Sequence, residues 1–111
     1  MTVGEIRKVL DAKVLMGEKH LSADAGSVYS SDMMSDVLAF ADNHSVLVTG
    51  LCNPQVIRTA EMLDMVCIIF VRGKVPDGQM CRLAEEKDMV ILLTEFSMFK
   101  TCGLLYEVGL R

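Results

Sequence analysis

No stretch of this sequence is apolar for long enough to cross a bilayer. The longest strongly apolar run, residues 65–71, falls far short of the roughly 20 residues that a spanning helix needs. The opening MTVGEIRKVLDAK lacks the apolar core of a signal peptide, so the expected location is the cytoplasm. Excess positive charge is missing too. With a formal net charge of -4 and a pI near 5.0, the chain has no electrostatic drive toward nucleic acid or anionic lipid, and neither is expected as a partner.

Catalytic signatures are equally scarce. Neither G-x-G-x-x-G after a strand nor G-x-x-x-x-G-K-[ST] occurs, which removes the dinucleotide fingerprint and the P-loop, and with the latter an ATP-hydrolysing kinase. Cys52, Cys67, Cys81 and Cys102 form no C-x-x-C pair and read as reduced thiols, mostly buried. His20 and His44 are the only imidazoles, and both lie in polar segments with no nucleophile placed beside them by pattern. They read as solvated loop side chains. Asp32 and Asp36 stand four apart without the further carboxylates that a divalent ion needs, so no metal is expected, and no cofactor is implied.

What the chain does have fits one domain, spanning residues 1–111. It is 51% hydrophobic with a mean hydropathy of +0.36, which leaves apolar surface on so small a body. Burial against a second copy predicts a two-fold homodimer. Seven of the nine methionines, Met33, Met34, Met62, Met65, Met80, Met89 and Met98, fall on segments expected to pack, either filling the core or forming an adaptable partner surface. Cys102 and Gly103, beside Phe99 and Leu104, would permit close approach of another helix.

Thr2-Val3-Gly4-Glu5 has the spacing of a capping box and opens a helix over 3–10. A short strand over 12–16 and a surface loop over 17–25 follow. One grammar then repeats: a short apolar run, a turn, an amphipathic helix. Residues 45–49, 65–71 and 88–93 are apolar without polar alternation, as strands covered on both faces require, and the roughly ten-residue helical segments between them suit parallel crossovers. Residues 26–29, ahead of a helix over 33–41, form a weaker unit. Helix starts are marked by Asn53 before Pro54, by Asp77, by Asp32, and by Thr94 or Ser97. The pattern predicts an α/β fold with a mostly parallel central sheet.

In such a sheet the carboxyl ends of the strands share one edge, where the turns Ser30-Ser31-Asp32, Thr49-Gly50-Leu51-Cys52-Asn53, Arg72-Gly73-Lys74 and Thr94-Glu95 should gather. Helix N-termini and two cations there would accommodate a phosphate or carboxylate, and a phosphorylated nucleotide is the ligand class this suggests. Capping and turn closure account for the same residue types without a ligand.

The opening TVGEI, the segment VYSSDMMSDVLAFA at 28–41, the stretch NPQVIRTAEMLDMVCIIFVRGKVPD at 53–77, and ILLTEFSMFKTCGLLYEVGL near the end together resemble the DRTGG domain, a relative of the N-terminal domain of HPr serine kinase/phosphorylase. The eponymous signature falls around 22–28, where this chain reads SADAGSV, without the arginine and the paired glycines. The resemblance implies a three-layer α/β/α sandwich, dimeric, occurring alone or as a regulatory appendage of larger enzymes. In pyrophosphatases with CBS domains, similar domains sit within a region that binds adenine nucleotides. It transfers Tyr29, Ser31 and Asp32 as ligand-binding residues, whereas Thr49, Asn53 and Arg72 rest on the edge argument.

The leading expectation is therefore a non-catalytic regulatory module that senses a nucleotide or other phosphate-bearing ligand. The alternative is an interaction subunit that docks on a partner enzyme without a small ligand. A third reading, a small transferase or hydrolase using Asp32 as base, would require turnover that Asp32→Asn abolishes.

Overall fold

A computed structural model describes residues 1–111. Its elements run α1 (Val3–Val9), β1 (Lys13–Met16), a single 3-10 turn (Glu18–His20), β2 (Val28–Ser30), α2 (Met34–Phe40), β3 (Val46–Thr49), α3 (Pro54–Met62), β4 (Cys67–Phe70), α4 (Gly78–Glu86), β5 (Ile91–Leu93) and α5 (Met98–Glu107). The strands form one sheet in the order β1-β5-β4-β3-β2. Strands β2 to β5 run parallel, and β1 joins β5 antiparallel. No helix is long and apolar enough to cross a membrane.

The unalternating strands are buried on both faces, and odd and even residues feed different cores. Val46, Val48, Cys67, Ile69 and Leu92 pack under α1 and α5, together with Ile6 and Leu105. Leu47, Ile68, Phe70 and Ile91 pack under α2, α3 and α4, against Val37, Ile57 and Met80. The result is the three-layer α/β/α sandwich expected from the resemblance.

Local chemistry sets the element ends. The capping box at Thr2 and Glu5 is complete, and its hydrogen bonds from Thr2 hold the Glu5 carboxyl below the usual range. Asn53, Asp77 and Ser97 each accept from a backbone N–H of the first turn of α3, α4 and α5. Thr94 does not cap α5; its hydroxyl donates to the Leu10 carbonyl at 3.0 Å. Four helices stop in one way. After α1, α3, α4 and α5, the residues Asp11, Asp64, Asp88 and Gly109 turn left-handed, and a buried side chain follows each: Ala12, Met65, Met89 and Leu110. The paired bonds typical of a Schellman stop are present, as in Asp64 N–H to Glu61 and Met65 N–H to Ala60. Aspartate serves where glycine is the commoner choice, because its short polar side chain tolerates positive φ.

Several expectations change. Residues 17–25 are more than a surface loop: they hold the 3-10 turn, Asp24 bridges to Thr2, and Ala25 is buried. His20 is paired rather than merely solvated, with Nε2 2.7 Å from Asp88 Oδ2. Met33 and Met62 are exposed at 59% and 71%, because Met33 is the extended residue that leads into α2 and Met62 lies on the outer side of α3, whose inner side already fills the core. Of the cysteines only Cys67 is buried; Cys52, Cys81 and Cys102 are half-buried, since the turn and helix faces that carry them border solvent.

Candidate functional site at the carboxyl edge of the sheet

Parallel alignment brings the ends of β2, β3, β4 and β5 to one edge, with Thr49 level with Phe70 and Phe70 level with Leu93. The antiparallel β1 begins at that same edge, where Lys13 pairs with Leu93. Three turns are stitched together there. Asp32 reaches across from the β2 turn, and its Oδ1 accepts from the Thr49 hydroxyl at 3.1 Å and from the Gly50 N–H at 2.7 Å. The Arg72 N–H donates to the Phe96 carbonyl at 2.8 Å, and the Gly73 N–H to the Thr94 carbonyl at 3.0 Å.

Arg72 is the unusual residue of this group. It holds φ at 57°, whereas the other non-glycine residues with positive φ are aspartates and His44. Arg72 and Gly73 are the two central residues of a tight turn closed by the Lys74 N–H to the Val71 carbonyl at 3.2 Å, a turn that sets φ positive at both positions. The Arg72 guanidinium lies over Gly50: a Cβ there would meet Arg72 Nη2 at 2.7 Å and Asp32 Oδ1 at 3.5 Å. Glycine at 50 is thus what lets the cation rest on the turn. Gly73, at φ 69°, plays the matching part for Glu95, whose Oε2 would be 2.6 Å from an added Cβ. Arg72 and Lys74 are exposed, and neither joins any of the ion pairs of the fold. Both cations therefore retain their full hydrogen-bonding capacity.

Next to this group is a recess of about 280 Å³ lined by residues that include Asp11, Lys13, Gly73, Thr94 and Glu95. Sequence pattern did not single out Asp11 or Lys13 for the site, because only the antiparallel direction of β1 brings them to this edge. Of the residues expected here, the structure joins Asp32, Thr49 and Arg72 around Gly50. Ser31 and Asn53 border the same edge but are engaged locally: Ser31 Oγ accepts from the Met33 N–H at 3.0 Å, and Asn53 Oδ1 from the Gln55 N–H at 3.0 Å. Tyr29 is in the middle of β2, half-buried against the α2, α3 and α4 layer. Asp32 is not an N-cap; Met33 occupies that position without a side-chain cap, because the Asp32 carboxylate finds two donors on the β3 turn.

Neither Cys52 nor Cys67 is poised for nucleophilic chemistry. Burial pushes the Cys52 thiol up, with the Lys74 charge only partly opposing it, and burial raises Cys67 strongly.

The family model of the DRTGG domain matches residues 5–108. This chain belongs to the DRTGG domain family. Among curated proteins, none matches it. Its fold is similar to that in the crystal structure of the CBS and DRTGG domains of the regulatory region of Clostridium perfringens pyrophosphatase, complexed with the activator diadenosine tetraphosphate. The similarity has a TM-score of 0.77 at 17% identity and covers 94% of this chain. This DRTGG domain spans 45% of that neighbour's length. At such identity the likeness establishes the fold alone.

Proposed function

We propose that this DRTGG domain is a non-catalytic regulatory module that binds a phosphate-bearing ligand, a nucleotide foremost, at the carboxyl edge of its sheet. One observation carries the reading: the Arg72 guanidinium, without an ion-pair partner, lies across the Gly50 turn at the carboxyl edge. An unpaired guanidinium, the nearby Lys74 ammonium and the amide-rich turn form a suitable receptor for phosphoryl oxygens. Ser31 and Asn53 border the proposed site and Asp32 and Thr49 brace the turn on which Arg72 rests, while Tyr29, set back in the middle of β2, stands behind it. Support for a regulatory role comes from the pyrophosphatase neighbour, whose regulatory region was crystallised with a dinucleotide activator.

The domain would act on a partner enzyme or within a longer chain, as a homodimer, and the four free thiols suit the reducing cytoplasm. Thermal-shift measurement against a panel of nucleotides, including dinucleoside polyphosphates, tests the reading. A ligand at a hundred times its dissociation constant adds about 2.7 kcal/mol to the folded state. A midpoint unmoved by every compound rejects the ligand and leaves a docking module that works without one.

A further inference from the structure

The recess beside Gly73 joins apolar walls to unpaired charge. Leu15 and Leu93 line it, half-buried on the side of the sheet that α2, α3 and α4 cover, and Val75, 64% exposed, adds an apolar lip that the core does not use. Asp11, Lys13 and Glu95 line it as well, and none of the three joins an ion pair of the fold. The Glu95 carboxylate rests on Gly73, in the turn that carries Arg72 and Lys74, and Lys13 pairs with Leu93, two residues before Glu95.

These features orient a phosphate-bearing ligand. The carboxylates of Asp11 and Glu95 repel phosphoryl oxygens, so a ligand held at Arg72 enters the recess with its uncharged end. Apolar walls favour a ring there, and free carboxylates favour a ring whose edge donates hydrogen bonds. Strand β5 lies two strand spacings from β3, roughly 10 Å, a gap of the size that a ribose bridges between a base beside Leu93 and a phosphate at the Gly50 turn.

We infer that this recess selects the base of the bound nucleotide and that the base is guanine, an inference that rests on the phosphate reading above. Guanine carries its N1–H and 2-amino group as neighbouring donors, which match the two oxygens of one carboxylate, and the O6 beside them accepts from an ammonium. Glu95 takes the donor pair, Lys13 donates to O6, and Leu15, Leu93 and Val75 enclose the ring. The other common bases lack that edge. Adenine and cytosine set a bare ring nitrogen next to the amino group, and uracil flanks its one N–H with two carbonyls, so each turns an acceptor toward the carboxylate. A polar site built for one hydrogen-bonding pattern discriminates strongly against a ligand that leaves its groups unpaired.

The test is isothermal titration of the full chain with GTP, ATP, inosine triphosphate and inorganic tripolyphosphate. Inosine triphosphate differs from GTP only in lacking the 2-amino group. GTP is expected to bind about tenfold or more tighter than either of the other nucleotides. Glu95→Gln should bring GTP down to the level of inosine triphosphate while tripolyphosphate binds no more weakly than before, whereas Arg72→Ala should weaken all four compounds. The comparison of ligands on the unmodified protein decides the matter even if a variant misfolds. GTP binding no tighter than ATP or inosine triphosphate overturns the inference and leaves the phosphate site standing. So does a preference for GTP that folded Glu95→Gln keeps in full. Failure of all four compounds to bind, tripolyphosphate included, removes the phosphate site itself and this inference with it.

Discussion

The Asp32 carboxylate accepts the Gly50 N–H at 2.7 Å, tying the turn that ends β2 to the turn that leaves β3. With the Thr49 hydroxyl as second donor, this one oxygen fixes the floor on which Arg72 lies. Asp32→Ala should lower stability by about 1–2 kcal/mol, whereas Asp32→Asn, which keeps an acceptor oxygen, should lose less. Urea unfolding monitored by circular dichroism distinguishes the two. Equal stability of all three proteins would show that the bond does not brace the turn.

Two substitutions should strengthen the fold, for opposite reasons. Gly103 is exposed in the interior of α5, and an added Cβ would meet nothing within 4 Å, so Gly103→Ala should stabilise by about 1 kcal/mol through helix propensity. Asp64 has φ at 55° in the stop after α3, and Asp64→Gly should stabilise by up to about 1 kcal/mol by relieving that conformation. Thermal midpoints check both. A loss in the first would mean that another body rests on α5, and a loss in the second that the aspartate side chain contributes more than its backbone costs.

Asp88 links the 3-10 turn to the approach of β5. Its carboxyl is held below the usual range, chiefly by the hydrogen bond with His20 and further by the charges of His20 and Lys19. A depressed carboxyl stabilises the folded state above its ordinary pKa and loses that contribution as pH falls through its folded value. The stability gap between the native protein and Asp88→Asn should therefore be open at mildly acidic pH and close as pH drops below about 4. Unfolding curves collected across that range give the answer, and a gap independent of pH would contradict the linkage.

Sequence patterning reached the architecture more readily than the site. The unalternating runs at 45–49, 65–71 and 88–93 identify strands covered on both faces, and Asn53, Asp77 and Ser97 identify helix starts through the caps they form. Helix ends were harder to read, because Asp11, Asp64 and Asp88 do what glycine ordinarily signals. At the carboxyl edge, Thr49 and Arg72 were legible from their place after strands. The role of Gly50 was not, since its lack of a side chain matters only through the Arg72 group lying over it. Asp11 and Lys13 join the edge through the reversed direction of β1, which no local pattern encodes. Asp32 looked like a cap because a carboxylate ahead of a helix ordinarily is one; its partners are 17 and 18 residues away in the chain.

The central claim is that Arg72 receives a phosphate at this edge. Isothermal titration of the intact protein with dinucleoside polyphosphates and with inorganic phosphate, repeated on Arg72→Ala and on Gly50→Ala, tests it most directly. The account predicts saturable heat from a phosphorylated ligand, weakened about tenfold or more by either substitution while circular dichroism reports an unchanged fold. Binding that both variants retain at full strength, or no heat from any of these compounds, would contradict it.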